Sequence, residues 1–270
     1  PARQEMATTQ ALNANIFGNG SETIVLSHGF GSDQTVWHLL IPCLVLYFRV
    51  VVFDLAFSPT VKPNFYNPKK YSSFQGYAND LVCLLDELEV KKAIYMGHSM
   101  SAMIGCIASV DRPDLFQHLI LVGGSPRYLN AKGYVGGFER ADVEAVFNAI
   151  RTDYLGWVKQ FAPQAIGVND TTAIKEFETS LGRMNPRTAL AVARTVFLSD
   201  WRKILPKVRH PCTVIQTEKD LVVPPTVVSY MMRKLGGPKK LKILNTEGHL
   251  PHLTVYPLIV KALKEVHVIK

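Results

Sequence analysis

The sequence predicts an α/β fold built on a mostly parallel sheet, and three observations carry that expectation. Short, nearly continuous apolar runs (Thr23–Ser27, Arg49–Phe53, Ala93–Gly97, His118–Gly123, Cys212–Thr217 and Leu241–Asn245) alternate with stretches of helical spacing. Runs that are apolar at successive positions belong to strands covered by helices on both faces. Several of these runs close on a loop that carries His, Ser or Asp, as chemistry-bearing strand ends do in open parallel sheets. Finally, the alternation stops between Tyr128 and Leu205, where only helical periodicity is found, so a four-helix cap is expected inside the α/β core.

In chain order, Pro1–Glu5 precede Met6 and read as an extension carried over from expression, outside the fold. Ala11–Ile16 reads as a short strand before the Gly18-Asn19-Gly20 turn. The strand Thr23–Ser27 feeds into His28-Gly29-Phe30-Gly31, a glycine-bearing loop that leaves backbone N–H groups free to point inward. Helical spacing over Val36–Leu46 and the strand Arg49–Phe53, closing on Asp54, come next, then a proline-bearing loop and a helix near Ser72–Leu88. The run Ala93–Gly105 pivots on Gly97-His98-Ser99, as a strand turning sharply into a helix does. Cap helices are expected over 139–151, 153–161, 171–181 and 186–199, with Asp170 as an N-cap and Pro186 in a first turn. Strand Cys212–Thr217, a helix over 226–235, strand Leu241–Asn245 and a helix from Leu258 complete the chain. The core is thus assigned to 6–127 and 206–270, and the cap to 128–205.

With 270 residues, 47% of them hydrophobic, the chain can bury a full core. No run of about 18 apolar residues and no secretory leader is present, so no membrane association is expected. Cys43, Cys83, Cys106 and Cys212 are scattered and read as buried free thiols, and no cysteine, histidine or acidic spacing suits a metal or a cofactor. The net charge of +8 looks diffuse along the sequence, in pairs such as Lys69-Lys70, Lys91-Lys92 and Lys239-Lys240. Without aromatic interleaving this argues against nucleic acid and for a solvated surface, one suited to an acidic protein partner.

The chemistry gathers at three strand ends. A nucleophilic serine needs a base to take its proton and an acid to orient that base. Ser99 lies at the strand–helix turn, Asp220 in the loop after Cys212–Thr217, and His249 in the loop after Leu241–Asn245. The order Ser–Asp–His is that of α/β-hydrolases. Backbone N–H groups of Phe30 and Met100 are the expected oxyanion donors. The usual G-x-S-x-G pattern ends here on Ser101. Asp54 reads as a loop-fixing carboxylate, Glu218 as an alternative acid, His98 as a packing residue and His28 as a brace for the oxyanion loop. Phenylalanines of the cap suit a pocket for a small apolar ester or lactone.

These residues resemble the plant strigolactone and karrikin receptor branch of the α/β-hydrolases, related to the bacterial regulator RsbQ. The resemblance runs from Met6 onward and rests on His28-Gly29-Phe30-Gly31 with Asp33-Gln34 and Trp37, on Gly97–Gly105, where Ser101 is ordinary for the branch, and on Ser125-Pro126-Arg127-Tyr128. Gly136–Glu139, Phe161-Ala162-Pro163, Ser199-Asp200, Lys219-Asp220-Leu221 and Gly248-His249-Leu250-Pro251 extend it, more strongly toward the karrikin type. It implies a butenolide receptor that is also a slow serine hydrolase, with Ser99, Asp220 and His249 as triad. It implies a pocket lined by Phe30, Tyr128, Phe138, Phe161, Phe177 and Phe197. It further implies cap movement that recruits an F-box protein of a ubiquitin ligase and a repressor target, in nucleus and cytoplasm. The alternative is an ordinary carboxylesterase or lactonase for small apolar esters, without a signalling partner. One departure stands out: Leu55–Thr60 has no glycine where the branch has one, and Pro59 fixes its own φ, so Phe57 is expected to reshape a neighbouring pocket.

Overall fold

The computed structural model describes residues 6–270; Pro1–Glu5, expected to be an added extension, lie outside the described residues. A seven-stranded sheet organises the described residues. Of the Ala11–Ile16 stretch expected to be one strand, only its end is in β1 (Asn15–Phe17), and Ala11 closes the first helix, α1 (Thr8–Ala11). Asn13, at φ +51°, turns the chain between them, so the apolar run serves two elements. The core then builds through β2 (Glu22–Ser27), α2 (Ile41–Leu44), β3 (Phe48–Phe53), α3 (Phe74–Glu87), β4 (Ala93–His98), α4 (Met100–Asp111) and β5 (Phe116–Val122). The helix expected over Val36–Leu46 is instead a 3₁₀ turn at Gln34–Trp37 followed by the single turn α2. Pro42 has no N–H to give to the preceding turn, which breaks the ladder there.

Only β1 runs antiparallel, against β3; every other pairing is parallel. All six residues of β4 are buried, as are the last four of β2. Because successive side chains point to opposite faces, this burial requires cover on both sides of the sheet. The chain leaves β2 toward β3 and returns on the other side to β4. The carboxyl ends of β2 and β4 therefore flank the point where strand order reverses, the place where open α/β sheets hold their ligands.

Between β5 and β6 (Cys212–Lys219) run four helices: α5 (Arg140–Thr152), α6 (Tyr154–Ile166), α7 (Thr171–Gly182) and α8 (Pro186–Phe197). Each has a local reason to start. Glu139 and Asp142 form a capping box for α5, and the Asp153, Asp170 and Asn185 side chains cap α6, α7 and α8. Gly167 closes α6 in the left-handed conformation. Ala189, Val192, Ala193, Val196 and Phe197 make one buried stripe along α8. The base of this insertion is drawn together by Arg127–Asp200 at 2.7 Å and by Trp201 N–H donating to Pro126 O. Arg183, just after α7, reaches the buried Asp33 of the core at 3.0 Å. The chain ends with α9 (Pro225–Lys234), β7 (Lys239–Glu247), α10 (Pro251–Thr254) and α11 (Tyr256–Glu265). The four cysteines are free, but Cys83 is exposed on α3 and Cys43 half-buried, so only Cys106 and Cys212 are the buried thiols expected.

Candidate active site

The turn after β4 forces Ser99 to φ +56° and ψ −121°, a strained conformation for a residue with a side chain. Ser99 N–H donates to Val122 O at 2.8 Å, which anchors the turn to β5. Its hydroxyl meets His249 Nε2 at 2.9 Å, and His249 Nδ1 meets Asp220 Oδ2 at 2.7 Å. Loops after β7 and β6 supply these two partners, so three residues distant in sequence form one hydrogen-bonded row. Asp220 is held in turn by Val222 N–H at 2.8 Å, Val223 N–H at 3.2 Å and Gln216 Nε2 at 3.0 Å. Burial works against its charge, yet His249 and these donors outweigh it and hold the carboxyl below its ordinary range. Glu218 is exposed on the same strand end, and His249 is bonded to Asp220 instead. Asp220→Asn is expected to lower kcat about 10⁴-fold, because the amide no longer fixes the imidazole tautomer. Glu218→Ala is expected to leave kcat unchanged; steady-state kinetics on an ester would reverse the assignment if the two outcomes were exchanged.

Among the described residues, the N–H groups of Phe30 and Met100 donate to no protein acceptor, so both remain available beside Ser99. Ser101, where the general pattern has glycine, has a positive use here. Its hydroxyl donates to His28 O at 2.5 Å and accepts from Ser27 Oγ at 2.9 Å, tying the start of α4 to the loop after β2. His28 braces that loop, as expected: Nδ1–H donates to Gly29 O, and Nε2 accepts from Leu55 N–H at 2.9 Å and from Ser58 Oγ at 3.2 Å. Burial lowers the His28 pKa, which keeps this ring neutral. The same bonds fasten the glycine-free loop. None of its residues needs a positive φ, and Phe57 is buried edge-on against His28 (5.7 Å) and Phe30 (6.3 Å). Asp54 fixes loops as expected, accepting from Gln34 N–H, Asn13 Nδ2 and Thr60 Oγ1.

The aromatic residues named from the sequence fall into two contiguous sets. Tyr128 and Phe138 pack edge-on against Phe197 at 5.4 and 5.3 Å. Phe161 packs on Phe177 at 6.3 Å and stacks on Trp157 at 5.0 Å, and Trp157 lies 6.4 Å from Phe30. Trp157 thus helps join the core loop to the cap, and helical spacing alone gave it no distinction from other packing residues. Tyr128 is fully buried, with its hydroxyl toward Ser99 but outside hydrogen-bond geometry.

Behind His249 lies a second feature invisible in the sequence. His98 donates from Nε2 to His249 O at 2.7 Å, and His252 packs with tilted rings at 4.4 Å from His98 and 4.6 Å from Trp37. A Cβ on Gly29 would lie 2.8 Å from His98 Nδ1, so glycine is what lets this ring sit against the oxyanion loop. Burial first, then neighbouring histidines, push the His98 pKa well down and that of His252 to about 3. The unfolded chain then binds more protons than the fold below the ordinary His value of 6.5, so stability falls as pH drops from there toward 3. His252 alone contributes a loss of about 2 kcal/mol between about pH 6.5 and 5. Denaturant midpoints across that range should fall less steeply in His252→Leu; an unchanged slope would contradict the assignment.

Residues 22–255 match the alpha/beta hydrolase fold family. The chain is 46% identical over 255 residues to a karrikin insensitive 2 receptor of Petunia hybrida, covering 94% of both. It is 45% identical over 245 residues to the strigolactone esterase D14 of Arabidopsis thaliana, covering 91% of this chain and 92% of that one. Among solved structures, a hydrolase from Oleispira antarctica superposes with a TM-score of 0.92 at 34% identity, over 96% of this chain and 95% of that one. A serine held at a strained strand–helix turn, at the reversal point of a parallel sheet, fits these likenesses. The chain belongs to the α/β-hydrolases, in the branch that holds karrikin-insensitive receptors and strigolactone esterases.

Proposed function

We propose that this protein is a butenolide receptor of the karrikin and strigolactone type that is also a slow serine hydrolase. The observation that carries the reading is the Ser99–His249–Asp220 row, with distances of 2.9 and 2.7 Å, beneath aromatic residues of α6, α7 and α8. His249 Nε2 takes the proton as Ser99 Oγ adds to the lactone carbonyl carbon. Negative charge then grows on the carbonyl oxygen, toward the N–H groups of Phe30 and Met100. Collapse breaks the ring C–O bond, and His249 returns the proton to the departing oxygen. Water, deprotonated by His249, releases the acyl group from Ser99. Asp220 stabilises the imidazolium throughout.

The ligand class follows the relatives' names and the apolar lining from Phe30, Tyr128, Phe138, Phe161, Phe177 and Phe197, which accepts a small lactone. Residues 128–205 act in this reading as a movable cap. The partners are an F-box protein of a ubiquitin ligase and a repressor target, met in nucleus and cytoplasm. Among the described residues, no helix is long and apolar enough to cross a membrane.

A fluorogenic butenolide tests the reading. Slow turnover, a retained mass adduct and a ligand-dependent thermal shift are expected in the native protein, and no turnover in Ser99→Ala. Fast multiple turnover of simple esters, with no adduct and no ligand-dependent F-box binding, would instead mark an ordinary esterase.

A further inference from the structure

Along the sequence the basic residues look scattered, but the fold concentrates them. No Asp or Glu occurs between Asp200 and Glu218, or between Asp220 and Glu247. Those two stretches hold Arg202, Lys203, Lys207 and Arg209 on one and five more Lys or Arg from Arg233 to Lys242 on the other. The other 21 Lys and Arg nearly balance all 22 Asp and Glu, so these nine residues account for the whole net charge of +8. Backbone contacts lace the stretches together. Gly236 N–H donates to Leu205 O at 3.1 Å, Cys212 N–H donates to Pro238 O at 2.8 Å, and Cys212 pairs with Lys239 in the sheet. A Cβ on Gly236 would lie 2.2 Å from Pro206 O, so the close approach depends on that glycine.

Arg202 is paired with Asp200 and Lys242 with Glu265. The remaining seven are exposed and have no carboxylate partner among the described residues. Lys207, Arg209, Lys234, Lys239 and Lys240 lie on the segments that lead into β6 and β7 or at the start of β7, whereas Ser99, Asp220 and His249 follow carboxyl ends of strands. The patch is therefore at the opposite end of the sheet from the active site.

We propose that this corner, with the open edge of β7, docks an acidic extended segment of a partner protein. β7 is the last strand of the sheet, and its outer edge has no backbone partner among the described residues. Leu241 and Ile243 on it are 39% and 50% exposed. Phosphates of a nucleic acid or a lipid would answer the charge but not the row of backbone donors and acceptors, which another peptide strand pairs directly. Lysines on an edge strand block pairing with a second copy, because that copy brings the same lysines. The same charges select an acidic strand, and they give fast, salt-sensitive association rather than tight binding.

The test uses a fluorescein-labelled peptide of alternating Glu and Val, with a Lys–Val peptide, duplex DNA and phosphatidylserine vesicles as competing probes. Anisotropy should show binding of the Glu–Val peptide that weakens as salt rises, and hydrogen exchange should slow at amides 239–245. The triple variant Lys207→Glu, Lys234→Glu, Lys240→Glu should weaken it by about tenfold or more, with Ser99-dependent ester turnover unchanged as the check on folding. Tighter binding of DNA or vesicles would overturn the proposal. So would dimerisation through this edge, unprotected β7 amides, or an unaltered affinity in the variant.

Discussion

His249→Ala is expected to lower kcat for a fluorogenic ester about 10⁴-fold or more, and Ser99→Ala to do the same. The imidazole is the one base within reach of the hydroxyl, at 2.9 Å, and the strained turn leaves Ser99 no other proton acceptor among the described hydrogen bonds. Because the two residues act as a unit, the double variant should be hardly worse than either single one. Burst kinetics separate the steps: neither variant should form an acyl adduct by intact mass. Both should still shift in melting temperature with ligand, since neither change touches the aromatic residues proposed to line the pocket. Additive losses in the double variant would show that the row does not act as one machine.

Gly248→Ala is the second large effect expected, and it is structural in origin and catalytic in outcome. Gly248 lies at φ +102°, and a Cβ there would fall 1.9 Å from Ile166 O, in the last turn of α6. The next residue, His249, donates its N–H to Ala165 O at 2.7 Å, so the carboxyl end of a cap helix holds the loop that carries the base. Adding a methyl group forces helix and loop apart. A loss of about 2–4 kcal/mol in stability is expected. A displacement of the imidazole by about 1 Å would cost kcat about 10²-fold. Gly133→Ala is the control, since its φ is +71° but nothing lies within 4 Å of the added carbon. It should carry the strain alone, about 1 kcal/mol, and keep full activity. Equal losses in the two variants would mean that backbone strain, not contact with α6, sets the effect.

The legible parts of this molecule share one property: their signal is local. Apolar runs of strand length, the cap at Asp170 and the first-turn Pro186 are decided within a few residues. The Ala11–Ile16 and Val36–Leu46 expectations failed for an equally local reason. The left-handed Asn13 turns the chain inside the first stretch, between a helix that ends on Ala11 and a strand that begins at Asn15, and Pro42 interrupts the second. Ser99, Asp220 and His249 could be singled out because each stands at a strand end. The fold then placed them within hydrogen-bond reach.

Sequence by itself determined the α/β class, the helical insertion and the three residues of the row, since strand periodicity, turn chemistry and residue type are written along the chain. Tertiary structure alone decided what no spacing encodes: that Trp157 joins Phe30 to the cap, that His98 and His252 pack behind His249, and that two basic stretches distant in sequence meet where β6 and β7 begin. It also decided that α6 grips the His249 loop. Those contacts come from packing elements far apart in sequence, and a long-range approach leaves its mark only in residues that permit it, such as Gly29, Gly236 and Gly248.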